Sequence, residues 1–150
     1  MIHLGYTGTK KGMTFQQKDR IVEFIDKLEK IELKGFDGYW LHGHHGDCQG
    51  GDKEFHEILL EYGSYIVVHP PVNNKYRAFC QLYNKIREPK PYGVRDKDIV
   101  KECEMLIAAP VGYQEELHSG TWWTVRIARR LKRNTYIIFP DGSVVLEEYK

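Results

Sequence analysis

The sequence predicts an α/β fold: a parallel sheet with helices on both faces. Three observations carry this. Short runs rich in strand-forming residues alternate with segments whose apolar residues recur at helical spacing. Alternation of this kind builds strand–helix–strand units with right-handed crossovers. The glycine-, histidine- and hydroxyl-rich segments follow the strands, where ligands of such sheets bind. A length of 150 residues suits one domain, taken as 1–150.

Ile2–Tyr6 is the first predicted strand, and Thr7–Gly12 is turn-rich. A helix follows, with Thr14 as N-cap and Gln17 completing a capping box. Ile21, Phe24, Ile25, Leu28 and Ile31 make its apolar stripe. Gly38–His42 is the second strand, and Gly43–Gly51 a loop with four glycines. Asp52–Tyr62 is a helix with Phe55, Ile58, Leu59 and Tyr62 on one face. Tyr65–His69 is the third strand, stopped by Pro70 and Pro71. The irregular stretch from Pro71 to Tyr92 holds a short helix around Tyr76–Tyr83. Asp96–Cys103 reads as a helix capped by Asp96, Met105–Ala109 as the fourth strand and Pro110–His118 as a loop. Thr121–Leu131 is a helix, Thr135–Phe139 the fifth strand, and Val144–Tyr149 a candidate extra edge strand.

Composition narrows the function classes. Hydrophobic residues are 41% and charged residues 29%, which excludes a disordered chain. Lys and Arg number 22 against 21 Asp and Glu, which argues against a globally basic nucleic-acid binder. The run Arg126, Arg129, Arg130, Lys132 and Arg133 reads as a solvated helix face. No apolar run reaches the roughly 20 residues of a membrane span. Met1–Gly5 does not start a secretory signal, and Cys48, Cys80 and Cys103 are odd in number and far apart. A cytoplasmic location is expected.

Three loops and two arginines carry the candidate chemistry. Gly5, Thr7, Gly8, Thr9 and Lys10 offer backbone amides, hydroxyls and a cation to an anion. They form neither a Walker loop nor a G-x-G-x-x-G fingerprint. His42–Asp52 reads either as a metal site or as a glycine-rich cradle with Gly46, Asp47 and Gly50. In the second reading, Asp47 or Asp52 holds a ribose hydroxyl or caps the helix. No paired ligand spacing is present, so no metal is expected. Ser119, Gly120 and Thr121 at a helix start make a phosphate seat, and Ser119 or Thr121 also caps the helix. Trp122 and Trp123 point different ways; one packs inside while the other walls a base pocket, and Trp122 is counted with the site. Arg77 and Arg95 flank the irregular third loop and would reach a phosphate over the sheet edge.

Together these segments resemble the SLOG superfamily, a Rossmann-like group. It includes the LONELY GUY phosphoribohydrolases, the DNA-processing protein A family and molybdenum-cofactor carrier proteins. The resemblance lies in Gly5–Gly8, His45–Asp52, Arg95–Asp98, Cys103–Pro110, Ser119–Trp122 and Ile137–Gly142, in the family's order. It implies a Rossmann-like, doubly wound, five-stranded parallel sheet of order 3-2-1-4-5. It also implies a nucleotide-like ligand and a homodimer or larger homo-oligomer. The phosphoribohydrolases carry a Glu where Thr124 stands here, so the site looks built for holding a nucleotide and no catalytic residue is assigned.

The leading expectation is therefore binding, for sensing or sequestration, of a nucleotide or nucleotide-derived signal such as a cyclic nucleotide or ADP-ribose derivative. A viral anti-defence sponge would fit so small a chain. A nucleotide N-glycosidase or phosphoribohydrolase with a relocated Glu is the alternative, and a nucleic-acid-binding module the second. No cofactor is expected.

Overall fold

The computed structural model describes residues 1–149. The chain builds β1 (Ile2–Gly8), α1 (Phe15–Glu29), β2 (Leu41–His45), α2 (Gly51–Glu61), β3 (Tyr65–Val68) and β4 (Lys85–Ile86). It continues with α3 (Tyr92–Glu102), β5 (Met105–Ala109), α4 (Gly120–Arg130), β6 (Asn134–Ile138) and β7 (Val144–Glu147).

One sheet holds all seven strands, in the order β4-β3-β2-β1-β5-β6-β7. All pairings are parallel except β6 with β7. The five central strands follow the expected 3-2-1-4-5 order, but the sheet is seven-stranded rather than five-stranded. β7 is the candidate edge strand. β4 escaped sequence reading because it is two exposed residues long, too short to show a period. The chain runs outward from β1 to β2 and β3, then crosses back to β5 on β1's other side. The carboxyl ends of β1 and β5 therefore diverge and open a crevice.

Local physics explains the other boundary differences. β2 begins at Leu41 and runs through His45, where the sequence reads as a polar loop; all five of its residues are buried. No helix forms around Tyr76–Tyr83, where Phe79 and Leu82 take positive φ of 53° and 62°. α3 starts behind Pro91, not Asp96, because proline suits a helix entrance and Asp96 is used inside. The α1 capping box is present: Gln17 N–H donates to Thr14 Oγ1 at 3.1 Å, and Thr14 N–H to Gln17 Oε1 at 2.9 Å. Ile21 and Ile25 are buried beneath it, but α1 ends at Glu29 and leaves Ile31 exposed.

Two apolar clusters flank the sheet. One joins β1, β2 and β3 to α1 and α2, with Tyr6 stacked on Phe55 at 4.8 Å between ring centroids. The other packs Trp122, Val125 and Ala128 of α4 on Leu106 and Ala108 of β5 and Ile137 of β6.

Histidines thread the buried sheet as hydrogen-bonded relays. Asp47 N–H donates to His45 Nδ1 at 3.0 Å, which leaves the His45 proton on Nε2. That nitrogen donates to His56 Nδ1 at 2.8 Å, and His56 Nε2 donates to the Gln81 carbonyl at 2.6 Å. In a second relay His3 Nδ1 meets His44 Nε2 at 3.0 Å, and His44 Nδ1 meets His69 Nε2 at 2.9 Å. Polar side chains are tolerated in the core because each ring nitrogen between neighbours is paired.

Burial holds these rings neutral. It lowers His44 to about 2 and His69 to about 3, and it pushes His45 well below the ordinary 6.5. Below pH 6.5 an unfolded chain takes up protons that the fold refuses, so stability falls as pH drops. Asp52 opposes this: burial raises it from 3.8 to about 6, which disfavours the fold as pH rises through that interval. Burial raises Asp96 likewise and lowers His42 with the other rings, so four histidines outweigh two carboxyls. The midpoint of thermal unfolding should be lower at pH 5 than at pH 7, and scanning calorimetry in matched buffers measures it. A midpoint that stays flat or rises on acidification would contradict the assignment of neutral rings.

Candidate functional site

The crevice is a cavity of about 430 Å³ between the ends of β1 and β5 and the starts of α2, α3 and α4. That is room for a small ligand. Thr7, Gly8, Thr9 and Lys10 form one wall and Ser119, Gly120 and Thr121 the facing one, while Gly46 and Arg95 close a third side. These are nine of the residues read as candidates from sequence.

The facing wall is a helix start. Ser119 caps α4: Trp122 N–H donates to its Oγ at 3.3 Å, and Trp123 N–H to its carbonyl at 2.9 Å. The amides of Gly120 and Thr121 are then left without intrahelical acceptors, as the first amides of any helix are. They lie at the positive end of α4, on the cavity wall. On the β1 side, the Thr9 carbonyl accepts Gly12 N–H at 3.1 Å and Gly51 N–H at 2.9 Å, which ties the first loop to α2. Lys10 places its Nζ 3.9 Å from the centre of the Tyr76 ring.

Arg95 is buried and holds the third side together. Its Nη1 donates to the Gly46 carbonyl and, at 3.3 Å, to the His69 carbonyl, while Nε donates to Asp96 Oδ1 at 2.6 Å. Gly46 has no side chain because a Cβ there would strike this guanidinium.

The remaining five candidates stand outside the lining, each for a packing reason. Gly5 is inside β1, where Ile99 of α3 and Cys103 just after it press to 3.0 Å of where a Cβ would stand. Asp47 and Arg77 pair with each other: Arg77 Nε donates to Asp47 Oδ2 at 2.8 Å, and Cys80 N–H to Oδ1 at 2.8 Å. This pair staples the irregular 71–84 segment to the end of β2. Gly50 has a φ of +80°, and a Cβ there would collide with the Lys10 carbonyl. Trp122 is in the α4 core, and its neighbour Trp123 is the half-exposed one.

Sequence reasoning missed Tyr6, Asp96, Tyr76 and Tyr92, all in the cavity wall, whereas Asp52, which also lines it, is the alternative to Asp47 that the sequence offers. Tyr6 read as a strand residue, and only the fold shows that its ring runs under the first loop. Burial raises Asp52 to about 6, although Arg95 pulls it down. Burial likewise raises the Cys48 thiol to about 11, so it is no nucleophile at neutral pH. A second, more open cavity of about 690 Å³ shares Tyr92, Asp96, His118, Ser119 and Gly120 with the first, and reaches Trp123 and Arg126. The two make one cleft.

Two clusters bring ligand-type atoms within 4.8 Å of one another: His45, His56 and Cys80, and His44, His69 and Glu102. The hydrogen bonds argue for relays in both. A metal on His45 Nε2 needs the proton on Nδ1, which already accepts Asp47 N–H. Glu102 is paired with Arg87, a cation that opposes a second one nearby. The basic face of α4 is largely neutralised: Arg129 binds both oxygens of Glu147 at 2.9 Å, and Arg126 meets Glu115 at 3.0 Å. No helix among the described residues is long and apolar enough to cross a membrane.

No protein family and no curated protein matches the chain. Among solved structures it is similar to the X-ray structure of TM1055, a structural genomics target. The TM-score is 0.59 and the identity 14%, over 90% of this chain and 72% of the other. At that identity the likeness shows the α/β parallel-sheet fold and nothing further.

Breaking the Asp47–Arg77 staple should cost stability. Asp47→Ala leaves the guanidinium without its partner and strips acceptors from two donors, a loss of about 3–5 kcal/mol. Urea unfolding of the variant measures it, and a loss below about 1 kcal/mol would show that the pair contributes as little as an exposed one.

Proposed function

We propose that this chain binds a nucleotide or nucleotide-derived signalling molecule and acts by sensing or sequestering it. One observation carries the reading: the unsatisfied amides of Gly120 and Thr121 face Gly8 and Thr9 across a cavity at the sheet's switch point. A phosphate between them gains charge-assisted hydrogen bonds and the favourable end of the α4 dipole. Lys10 adds a cation on the same side. Tyr76 and Tyr92 offer aromatic surface to a base, and the wider part of the cleft leaves space for more than a mononucleotide. The order of these segments along the chain is also our ground for proposing SLOG membership.

A hydrolytic reading is favoured by one finding. Asp52 and Asp96 put two carboxyls in the cavity although Thr124 replaces the family Glu. Thr124 Oγ1 donates to the Gly120 carbonyl at 3.0 Å and so is engaged in the helix. Incubation with a nucleotide panel and chromatography of the products separates the readings: intact nucleotides support binding alone, and released base supports the hydrolase. We also propose a homo-oligomer in the cytoplasm. Trp123, Leu117 and Tyr92 leave apolar surface exposed beside the cleft, and light scattering that finds a monomer at micromolar concentration would remove the oligomer.

Gly120→Asp tests the seat itself. A Cβ at Gly120 meets nothing within 4 Å, so the variant should fold while placing a carboxylate where the phosphate goes. Calorimetry with the nucleotide identified by mass spectrometry of the purified protein should show at least a hundredfold loss. Thr121→Ala, which removes one hydroxyl and keeps the amide, should lose less, about tenfold or below. Unchanged affinity in Gly120→Asp would place the phosphate elsewhere.

A further inference from the structure

The two edges of the sheet are built differently. β4, at one edge, is two residues long, begins with Lys85 and runs into Arg87, Glu88 and Pro89. Short length, charge and proline are the usual guards against pairing with another chain. β7, at the other edge, is four residues long and has neither charge nor proline across Val144, Val145 and Leu146. Val145 and Leu146 are 47% and 45% exposed. The turn before β7 fixes which of its main-chain groups are free. Gly142 N–H donates to the Phe139 carbonyl at 2.8 Å, Gly142 has a φ of +86°, and Phe139 N–H donates to the Ser143 carbonyl at 2.8 Å. This is a three-residue hairpin loop closed by a hydrogen-bonded pair. Pairs alternate from there, so Val145 with Ile137 and Glu147 with Thr135 carry the bonds to β6. The N–H and C=O groups of Val144 and Leu146 point outward, and no other described residue takes them.

We propose that β7 pairs antiparallel with β7 of a second copy across a two-fold axis at Val145, joining the two sheets into one. The inference rests on the homo-oligomer proposed above and gives it a contact that uses no residue of the cleft. Val144 then stands opposite Leu146 across the axis and Val145 opposite itself, and the outward groups of Val144 and Leu146 satisfy one another. The faces agree as well. Val144 and Leu146 share the α1 face: Val144 packs on the core there, and Leu146 stands beside Tyr136, which stacks on Phe24. Glu148 continues that face and comes to Gly142 across the axis. There Arg20 reaches from α1, its Nε donating to the Gly142 carbonyl at 2.9 Å and its Nη1 to Glu23. Its Nη2 bonds no described residue and is left for the incoming carboxylate, so an acid of each copy meets a cation of the other. On the α4 face the Val145 side chains meet on the axis, while Glu147 is already held by Arg129. No acid of the two strands stands directly opposite another.

Analytical ultracentrifugation of the full chain reads the dimer, and variants read its register. Val145→Cys should form a disulfide-linked dimer on mild oxidation, because a residue facing itself in a pair without main-chain bonds has its Cα about 4.5 Å from its mate. Leu146→Cys should stay unlinked at the same concentration, since its mate lies beyond the roughly 7 Å that a disulfide spans. Leu146→Pro removes an N–H that β6 does not use, so the unfolding midpoint should hold. The dimer should weaken about ten- to a hundredfold, the value of the hydrogen bonds lost on both sides of the axis. Val145→Lys sets like charges on the axis and should weaken it at least as much. A dimer that survives both substitutions, or that links as readily in Leu146→Cys as in Val145→Cys, would overturn the β7 pairing and leave the oligomer to another surface, such as that of Trp123. A monomer in the unmodified chain at micromolar concentration would overturn pairing and oligomer together.

Discussion

A single buried guanidinium organises the crevice end of this molecule. Arg95 reaches from α3 across the ends of β2 and β3 and donates to the carbonyls of Gly46 and His69 while paired with Asp96. Strand ends leave carbonyls without ladder partners, and burying them unpaired costs a few kcal/mol each. Arg95 satisfies two such groups at once, and its own charge is balanced within α3. The third wall of the crevice is thereby fixed without a loop that has to close over the ligand. It also explains the bare backbone at Gly46, where any side chain would displace the guanidinium.

The opposite wall depends on close approach in place of charge. The first loop and the start of α2 touch through main chain, Gly51 N–H on the Thr9 carbonyl, and through Glu54, whose Oε1 accepts Met13 N–H at 2.6 Å. Gly50 makes this contact feasible by taking a φ that other residues avoid and by leaving space for the Lys10 carbonyl. Tyr6, stacked on Phe55 below, sets the height of the loop. A rigid aromatic pair under a glycine loop gives a wall whose amides are positioned by packing, so little ordering entropy remains to be lost on binding.

How much of this was legible in the sequence depended on whether the signal was local. The Thr14–Gln17 capping box, the Ser119 cap and the apolar stripe of α1 as far as Leu28 need only neighbours along one helix, and these read correctly, while Ile31 falls beyond the helix and is exposed. The central strand order followed from alternating elements and the family resemblance. His44 and His45 of β2 did not read as strand because they are polar by type, and only His42 fell inside the expected Gly38–His42 strand. Their burial depends on His3, His56 and His69, which arrive from other elements. The 71–84 segment failed similarly: its positive-φ turns are held by Asp47, about thirty residues earlier in the chain. In the candidate site, glycines and hydroxyls at strand ends announced themselves, whereas Tyr6 became visible only when the fold placed its ring against Gly8 and Gly51.

The cavity wall carries charges of both signs in close company. Lys10 and the α4 amides gather positive potential on the Thr9 and Gly120 side. Asp52 and Asp96 stand by these same walls, Asp52 next to the Gly51–Thr9 contact and Asp96 beside Ser119 and Gly120, and Arg95 is already committed to carbonyls and to Asp96. An anion placed beside Asp52 would face like charge in a poorly hydrated floor, a repulsion that grows as the dielectric falls. A ligand negative along its whole length is therefore disfavoured. The Tyr76 and Tyr92 rings are themselves overlaid by cations, Lys10 Nζ at 3.9 Å and the Arg95 guanidinium at 5.3 Å from the ring centres, so acidic and basic groups alternate around the cavity and are held there by packing rather than by a moving part.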